Sequence, residues 1–397
     1  KLLAALLFIA VGLCVFSERQ QLRVSLKRAL EVAVEHEKAQ AEYMLNREGE
    51  MPKTYENGQI VTANIRWWTS GFFPGSLWLL YEHTGDDKLR EYAEHFTARL
   101  ESLKDYRGTH DLGFMVFCSY GNGYRLTGKE AYKDVINQAS ASLATRFNPT
   151  VGAIRSWNTG RKENPELDYI VIIDNMMNLD LLFNASKLSG NPYYKEVAIK
   201  HANTTMPNHF RPDYTSWHVV SYNNDGTVEC KETFQGKNHD SAWSRGQAWG
   251  LYGYTATYRE TGDKTYLDFA KNIADMFIAR TTTEDAIPYW DFDAPALADT
   301  PRDASAAAVA ACGLLELSTF VENGEVYFNH AEKILKSLSS EAYLAAPGEN
   351  QGFVLMHSTG SLAHGSEIDV PLNYADYYYL EGLQRYMNLK GIEYKNL

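Results

Sequence analysis

Apolar positions recur with a period close to 3.6 residues along most of the chain. The periodicity predicts twelve helices, over 18–45, 71–84, 86–102, 111–126, 129–146, 173–188, 191–209, 243–260, 263–280, 303–321, 325–340 and 372–388. Five of the corners between them carry a glycine, at Gly85, Gly128, Gly190, Gly262 and Gly324. Each follows a small or polar residue: Thr84, Thr127, Ser189, Thr261 or Asn323. Four residues further on comes a large apolar one: Leu89, Tyr132, Tyr194, Tyr266 or Phe328. Glycine suits the left-handed position just past a helix end, and the later residue packs back one turn into the next helix. The remaining connections, 46–70, 103–110, 147–172, 210–242, 281–302 and 341–371, are long and are expected as loops. Short corners alternate with long connections, so the corners gather at one end of the molecule and the loops at the other.

Twelve antiparallel helices in six hairpins can close into an all-α double ring, an (α/α)6 barrel; the open alternative is an α-solenoid. The even-numbered helices favour closure. Stretches 113–124, 172–185 and 304–317 carry few charges and read as buried on every side. The odd-numbered ones, such as 86–100 and 129–147, are amphipathic and read as an outer ring. No Pro/Ser-rich linker or charge block divides the chain, so 18–397 is expected as one catalytic domain.

The first residues follow another pattern. An unbroken apolar run over 2–16 follows Lys1, and Val15-Phe16-Ser17 offers a cleavage site, so 1–17 reads as a secretory signal peptide. The expected location is periplasmic or secreted. Cys14 offers a lipid anchor as the lesser alternative, because Leu13 is large for a lipobox. Fifteen apolar residues are short for a membrane span. Cys118, Cys230 and Cys312 remain, with neither metal spacing nor a disulfide framework. The net charge of −12 argues against nucleic acid as a partner, and an anionic substrate would need a local cationic pocket.

The unusual residues collect where long connections meet even-numbered helices: Trp67-Trp68-Thr69-Ser70-Gly71, His110-Asp111-Leu112-Gly113, Asp174-Asn175-Met176-Met177-Asn178, Trp243-Ser244-Arg245-Gly246-Gln247-Ala248-Trp249, Pro301-Arg302-Asp303 and Asn373-Tyr374-Ala375-Asp376. In a closed ring they converge on one mouth. Seven of the eight tryptophans lie in the long connections or at these helix starts, and flat aromatic faces suit sugar rings. Plainer roles compete. Asp111 and Asp174 open helices, where an aspartate often only caps. Arg245 between two tryptophans can be a structural cation–π contact. His110 and His218 can be loop hydrogen-bonders, and Tyr377-Tyr378-Tyr379 reads as helix packing. Asp291 and Asp293 read as a turn rather than a calcium site. Asp174 is flanked by Ile172-Ile173 and Met176-Met177, so burial is expected to raise its pKa and make it a general acid.

Trp68-Thr69-Ser70-Gly71-Phe72-Phe73-Pro74-Gly75, His110-Asp111-Leu112-Gly113-Phe114, Asp174-Asn175-Met176-Met177-Asn178-Leu179, Gln235-Gly236, the run from Asp240 to Trp249 and Tyr374-Ala375-Asp376-Tyr377-Tyr378 resemble glycoside hydrolase family 88, the unsaturated glucuronyl hydrolases. The likeness runs from Trp67 to about Tyr386. It implies an (α/α)6 barrel that removes the non-reducing, 4,5-unsaturated uronic acid left by polysaccharide lyases. It implies hydration of the C4=C5 vinyl ether rather than attack at C1, with Asp174 as general acid/base, Asp111 as the second essential carboxylate and no cofactor. Trp68, His110, His218, Gln235, Arg245, Trp249 and Tyr374 fall on substrate-contact positions, with Trp67 competing for the stacking role and Arg245 matched to the uronate. The segment before His218 departs from the family's usual Gly-Ser. An unsaturated rhamnogalacturonyl hydrolase-like enzyme, an ordinary inverting glycosidase and a non-catalytic periplasmic saccharide-binding protein are the alternatives. Arg211, Lys231, Lys237 and His357 are candidates to meet sulfate on a glycosaminoglycan; the sequence leaves the glycan and the oligomeric state open.

Overall fold

The computed structural model describes residues 2–158 and 169–397, with side chains from residue 23 onward. Helices run in chain order as α1 (Leu2–Met44), α2 (Phe72–Thr84), α3 (Asp87–Ala98), a π-helical stretch (Gly113–Gly121) continuing into α4 (Asn122–Thr127), α5 (Glu130–Ala144) and α6 (Asn175–Ser189). Then follow α7 (Pro192–His209), α8 (Ser244–Thr261), α9 (Lys264–Arg280), α10 (Ala304–Ser318), α11 (Gly324–Leu338) and α12 (Asn373–Lys390). The even-numbered helices form a closed inner ring. Each packs on the next, from α2 through the π-helical stretch, α6, α8 and α10 to α12, and α12 returns to α2. That last contact rules out the open solenoid. The inner helices are buried nearly all round: thirteen of the fifteen residues of α10 are. The outer helices bury only one stripe, as in α3 and α11. Tyr377, Tyr378 and Tyr379 pack within this core.

Four glycine corners behave as their sequence context demands. Gly85, Gly128, Gly190 and Gly262 sit at φ of 68°, 65°, 72° and 71°, each closing an inner helix through its N–H. The fifth expectation is corrected. Gly324 is the first residue of α11 and has no positive φ; α10 ends at Ser318 and a separate turn intervenes. A Cβ at Gly324 would lie 1.9 Å from the Ser318 carbonyl oxygen, so this glycine serves close backbone approach.

The long connections are not all loop, as the periodicity had suggested. β1 (Glu50–Glu56) and β2 (Gln59–Asn64) form a hairpin, β3 (Phe147–Asn148) pairs with β4 (Ala153–Ile154), and β5 (Tyr169–Ile172), β6 (Val219–Tyr222) and β7 (Val228–Glu232) form an antiparallel sheet. β5 and β6 are only four residues each and pair across a large sequence separation, so nothing local announces them. The first helix also begins well before the expected 18, at Leu2; the side chains of the expected signal segment 1–17 lie outside the described residues. No helix among the described residues is long and apolar enough to cross a membrane.

Candidate active site

The long connections and inner-helix starts enclose a cleft of about 660 Å³. Its floor and walls include Trp67, Trp68, Thr109, Asp111, Trp157, Asp174, Gln235 and Tyr374, so residues scattered over the chain meet because the ring closes. The volume lies within the usual range for small-ligand sites.

Asp174 holds the N-cap position of α6, yet its carboxylate accepts no capping hydrogen bond. Among the described residues no backbone amide binds the Asp111 carboxylate either; its Oδ2 accepts from the Thr109 hydroxyl at 2.5 Å. Both carboxylates are therefore free of the capping duty that is the plain reading of an aspartate at a helix start. The two helix starts are tied together by Asn178, whose Oδ1 accepts the Phe114 N–H at 3.0 Å. Gly113 permits that approach: a Cβ there would lie 2.6 Å from the Asn178 Cα.

Each carboxylate faces a buried histidine. His218 Nε2 lies 3.5 Å from Asp174 Oδ2, and His110 Nε2 lies 3.1 Å from Asp111 Oδ1. Ile173 N–H donates to the His218 carbonyl, which brings β6 beside the start of α6. The amides of Phe234 and Gln235 both donate to His218 Nδ1 at 3.2 Å. Nδ1 is thus an acceptor, and the ring proton sits on Nε2, facing Asp174. The ring stacks on Trp243 at 4.4 Å. The support for His110 runs through Ser156. Its hydroxyl accepts the Ile172 N–H and lies 3.4 Å from His110 Nδ1, which holds the ring with Nε2 facing Asp111.

These partners separate the two acids. Burial raises the Asp111 pKa above its ordinary value, and His110 and Thr109 offset this only in part. Burial also pushes Asp174 upward, but His218, whose Nε2 faces it at 3.5 Å, together with His110 and the Arg245 guanidinium outweighs it. Asp174 therefore ends below its ordinary value. The expectation that its apolar flanks would raise it is corrected: Ile172, Ile173, Met176 and Met177 are local neighbours, whereas the groups that decide the shift arrive from α8 and from the connections that lead into β6 and into the π-helical stretch. His110 is itself held down by burial.

The other expected contacts divide. Trp68 lies on the cleft wall, packed on Tyr374 with ring centroids 4.9 Å apart, and Trp67 lines the rim, 43% exposed. Gln235 lines the cleft while its amide donates to the Gly360 carbonyl at 2.9 Å. The buried Tyr374 hydroxyl has no hydrogen-bond partner among the described residues. His110 and His218 stand behind the carboxylates rather than on the surface. Arg245 and Trp249 are not on the cleft wall at all. The Arg245 guanidinium is buried, pairs with Asp303 at 2.9 Å and donates to the Thr359 and Gly360 carbonyls at 2.6 and 2.7 Å. It also lies over the Trp243 ring at 4.5 Å. Trp249 is fully buried against Phe114 and Tyr378.

None of the four residues suggested for sulfate lines the cleft. Arg211 and Lys231 lie over Trp217. Lys237 donates to the Asp293 carbonyl, and His357 pairs with Asp369. Asp291 and Asp293 pin the 237–242 turn through Lys237 N–H, Ser241 and Ala242 N–H. The cleft instead draws on residues that periodicity does not single out: Lys53, Arg66, Phe234, Ser361, His364 and Glu367. Two carried a signal by adjacency, since Arg66 precedes Trp67-Trp68 and Phe234 precedes Gln235.

The sequence model of Glycosyl Hydrolase Family 88 matches residues 43–386. The chain belongs to this family. It is a glycoside hydrolase on an (α/α)6 barrel. It is 46% identical over 325 residues to an unsaturated glucuronyl hydrolase of Formosa agariphila, covering 81% of this chain and 80% of the relative. It is 32% identical over 345 residues to an unsaturated chondroitin disaccharide hydrolase of Streptococcus pneumoniae, covering 84% and 85%. The crystal structure of an unsaturated glucuronyl hydrolase specific for heparin superposes with a TM-score of 0.89 at 49% identity, covering 93% of this chain and 98% of the other. In this family-88 member the aspartates that open the two inner helices are the ones spared from capping, and both reach the cleft.

Proposed function

We propose that the cleft releases a non-reducing, 4,5-unsaturated uronic acid from lyase-generated oligosaccharides by hydrating its C4=C5 bond. The carrying observation is the pair of cleft carboxylates, Asp111 and Asp174, each faced by a histidine Nε2 and neither used as a helix cap. Asp174 delivers a proton to C4 while water adds at C5. The hemiketal so formed opens, the glycosidic bond breaks and the aglycone leaves. The Asp174 pKa is held below its ordinary value by its neighbours, so the substrate must supply the change. A bound uronate brings a negative charge beside it and excludes water, and both effects move a carboxyl pKa upward. Asp111, already raised, positions the water or the vinyl ether, and Tyr374 offers its unpartnered hydroxyl. Trp68 and Trp157 give the sugar its apolar walls.

Relatives named for unsaturated glucuronyl and chondroitin disaccharide substrates support this reading. The apolar run over 2–16 supports export, with 18–397 acting as one catalytic unit. The test follows the ultraviolet band of the C4=C5 bond in a panel of unsaturated disaccharides. Wild type should abolish the band and Asp174→Asn should leave it. A band that persists with wild type on every member would discard the proposal. Saccharide binding without turnover would then favour a binding protein.

A further inference from the structure

The charged groups that line the cleft are nearly all answered. Asp111 faces His110 and Asp174 faces His218. Lys53 pairs with Glu367 at 3.0 Å, so the rim carboxylate does not repel an anion. His364 meets the Ser361 hydroxyl at 2.7 Å. Arg66 is the exception. It lines the cleft and has no carboxylate partner among the described residues. Its backbone N–H donates to Asn64 Oδ1 at 2.8 Å, which fixes the turn after β2. Its guanidinium lies 5.5 Å from the centre of the Tyr106 ring. A guanidinium held by a ring face keeps its N–H fork free for an oxyanion.

Depth decides which sugar meets it. Asp174 and Tyr374 are buried at the floor, where the terminal uronyl residue reacts, whereas Arg66 is exposed at the rim beside Trp67. The next sugar along the chain must pass this rim. The net charge of −12 repels anions at long range, so an anionic aglycone needs a local cation. We infer that Arg66 is a specificity residue that binds a sulfo group on the sugar following the scissile linkage. The inference rests on the hydrolase reading above.

The experiment compares matched unsaturated disaccharides whose second sugar is unsubstituted, O-sulfated or N-sulfated. Wild type should prefer at least one sulfated form, and the two sulfated arms show which ester or amide position is read. Arg66→Gln should lower the sulfated-to-unsubstituted ratio of kcat/KM about tenfold, chiefly through KM. Arg66→Lys should keep more of the ratio than Arg66→Gln, because it keeps the charge, and added salt should erode the wild-type preference. A ratio that stays within about twofold of wild type in Arg66→Gln overturns the inference. So does a wild type with no preference for either sulfated form. In both cases turnover of the unsubstituted disaccharide leaves the hydrolase reading standing. A wild type inactive on the whole panel removes that reading, and the role of Arg66 with it.

Discussion

Asp303→Ala tests whether Arg245 holds the cleft together from behind. The Arg245 and Asp303 side chains are 1% and 0% exposed, and the guanidinium NH1 meets Asp303 Oδ2 at 2.9 Å. The other oxygen, Oδ1, caps α10, accepting from Ser305 N–H at 3.0 Å and from the Ser305 hydroxyl at 2.5 Å. Removing the carboxylate leaves a buried cation, at about 3–5 kcal/mol. It also uncaps a helix, at about 1 kcal/mol. A loss of roughly 4–6 kcal/mol is therefore expected, read from the urea midpoint at unchanged m-value. Arg245→Met removes the other half and strips the Thr359 and Gly360 carbonyls of their donor. The double variant should lose less than the sum of the singles by at least about 2 kcal/mol, because neither charge is then left alone. Kinetics should follow, since Gly360 also receives the Gln235 amide and leads into Ser361 of the cleft wall. Singles that add within about 0.5 kcal/mol, or an Asp303→Ala cost under about 1 kcal/mol, would refute the argument and return Arg245 to direct contact with substrate.

Two further outcomes depend on pH. If substrate raises the Asp174 pKa, the alkaline limb of kcat should lie at higher pH than that of kcat/KM, because the first reports the complex and the second the free enzyme; coincident limbs would count against Asp174 as the acid. Asp376 accepts the Val354 and Leu355 amides at 3.0 and 2.8 Å, yet burial lifts its carboxyl from 3.8 to about 7. The folded state then binds the proton more tightly than the unfolded chain. Stability should be greatest below the ordinary carboxyl pKa and fall by about 4 kcal/mol as pH rises through about 7. Melting temperatures across that window should decline in wild type and flatten in Asp376→Asn, and equal slopes would contradict the linkage.

Local spacing carried much of this protein. The 3.6-residue period, the glycine corners and the alternation of short and long connections specified helical hairpins, because helix pattern and turn chemistry act between residues near in sequence. The same alternation put Asp111 and Asp174 at one end, and both open inner helices as expected. Gly324 shows the limit: the same corner motif there meets a neighbouring carbonyl instead of a left-handed turn. The four-residue strand β5 had no local signal, since its one partner, β6, lies far along the chain. Which inner-helix side chains see the cleft was decided by packing between rings, and that packing withdrew Arg245 and Trp249 while admitting Lys53, Arg66 and His364. The Asp174 pKa turned on His218 and Arg245, brought from distant elements. Electrostatic energy depends on distance and solvent exclusion, and only the folded chain sets either.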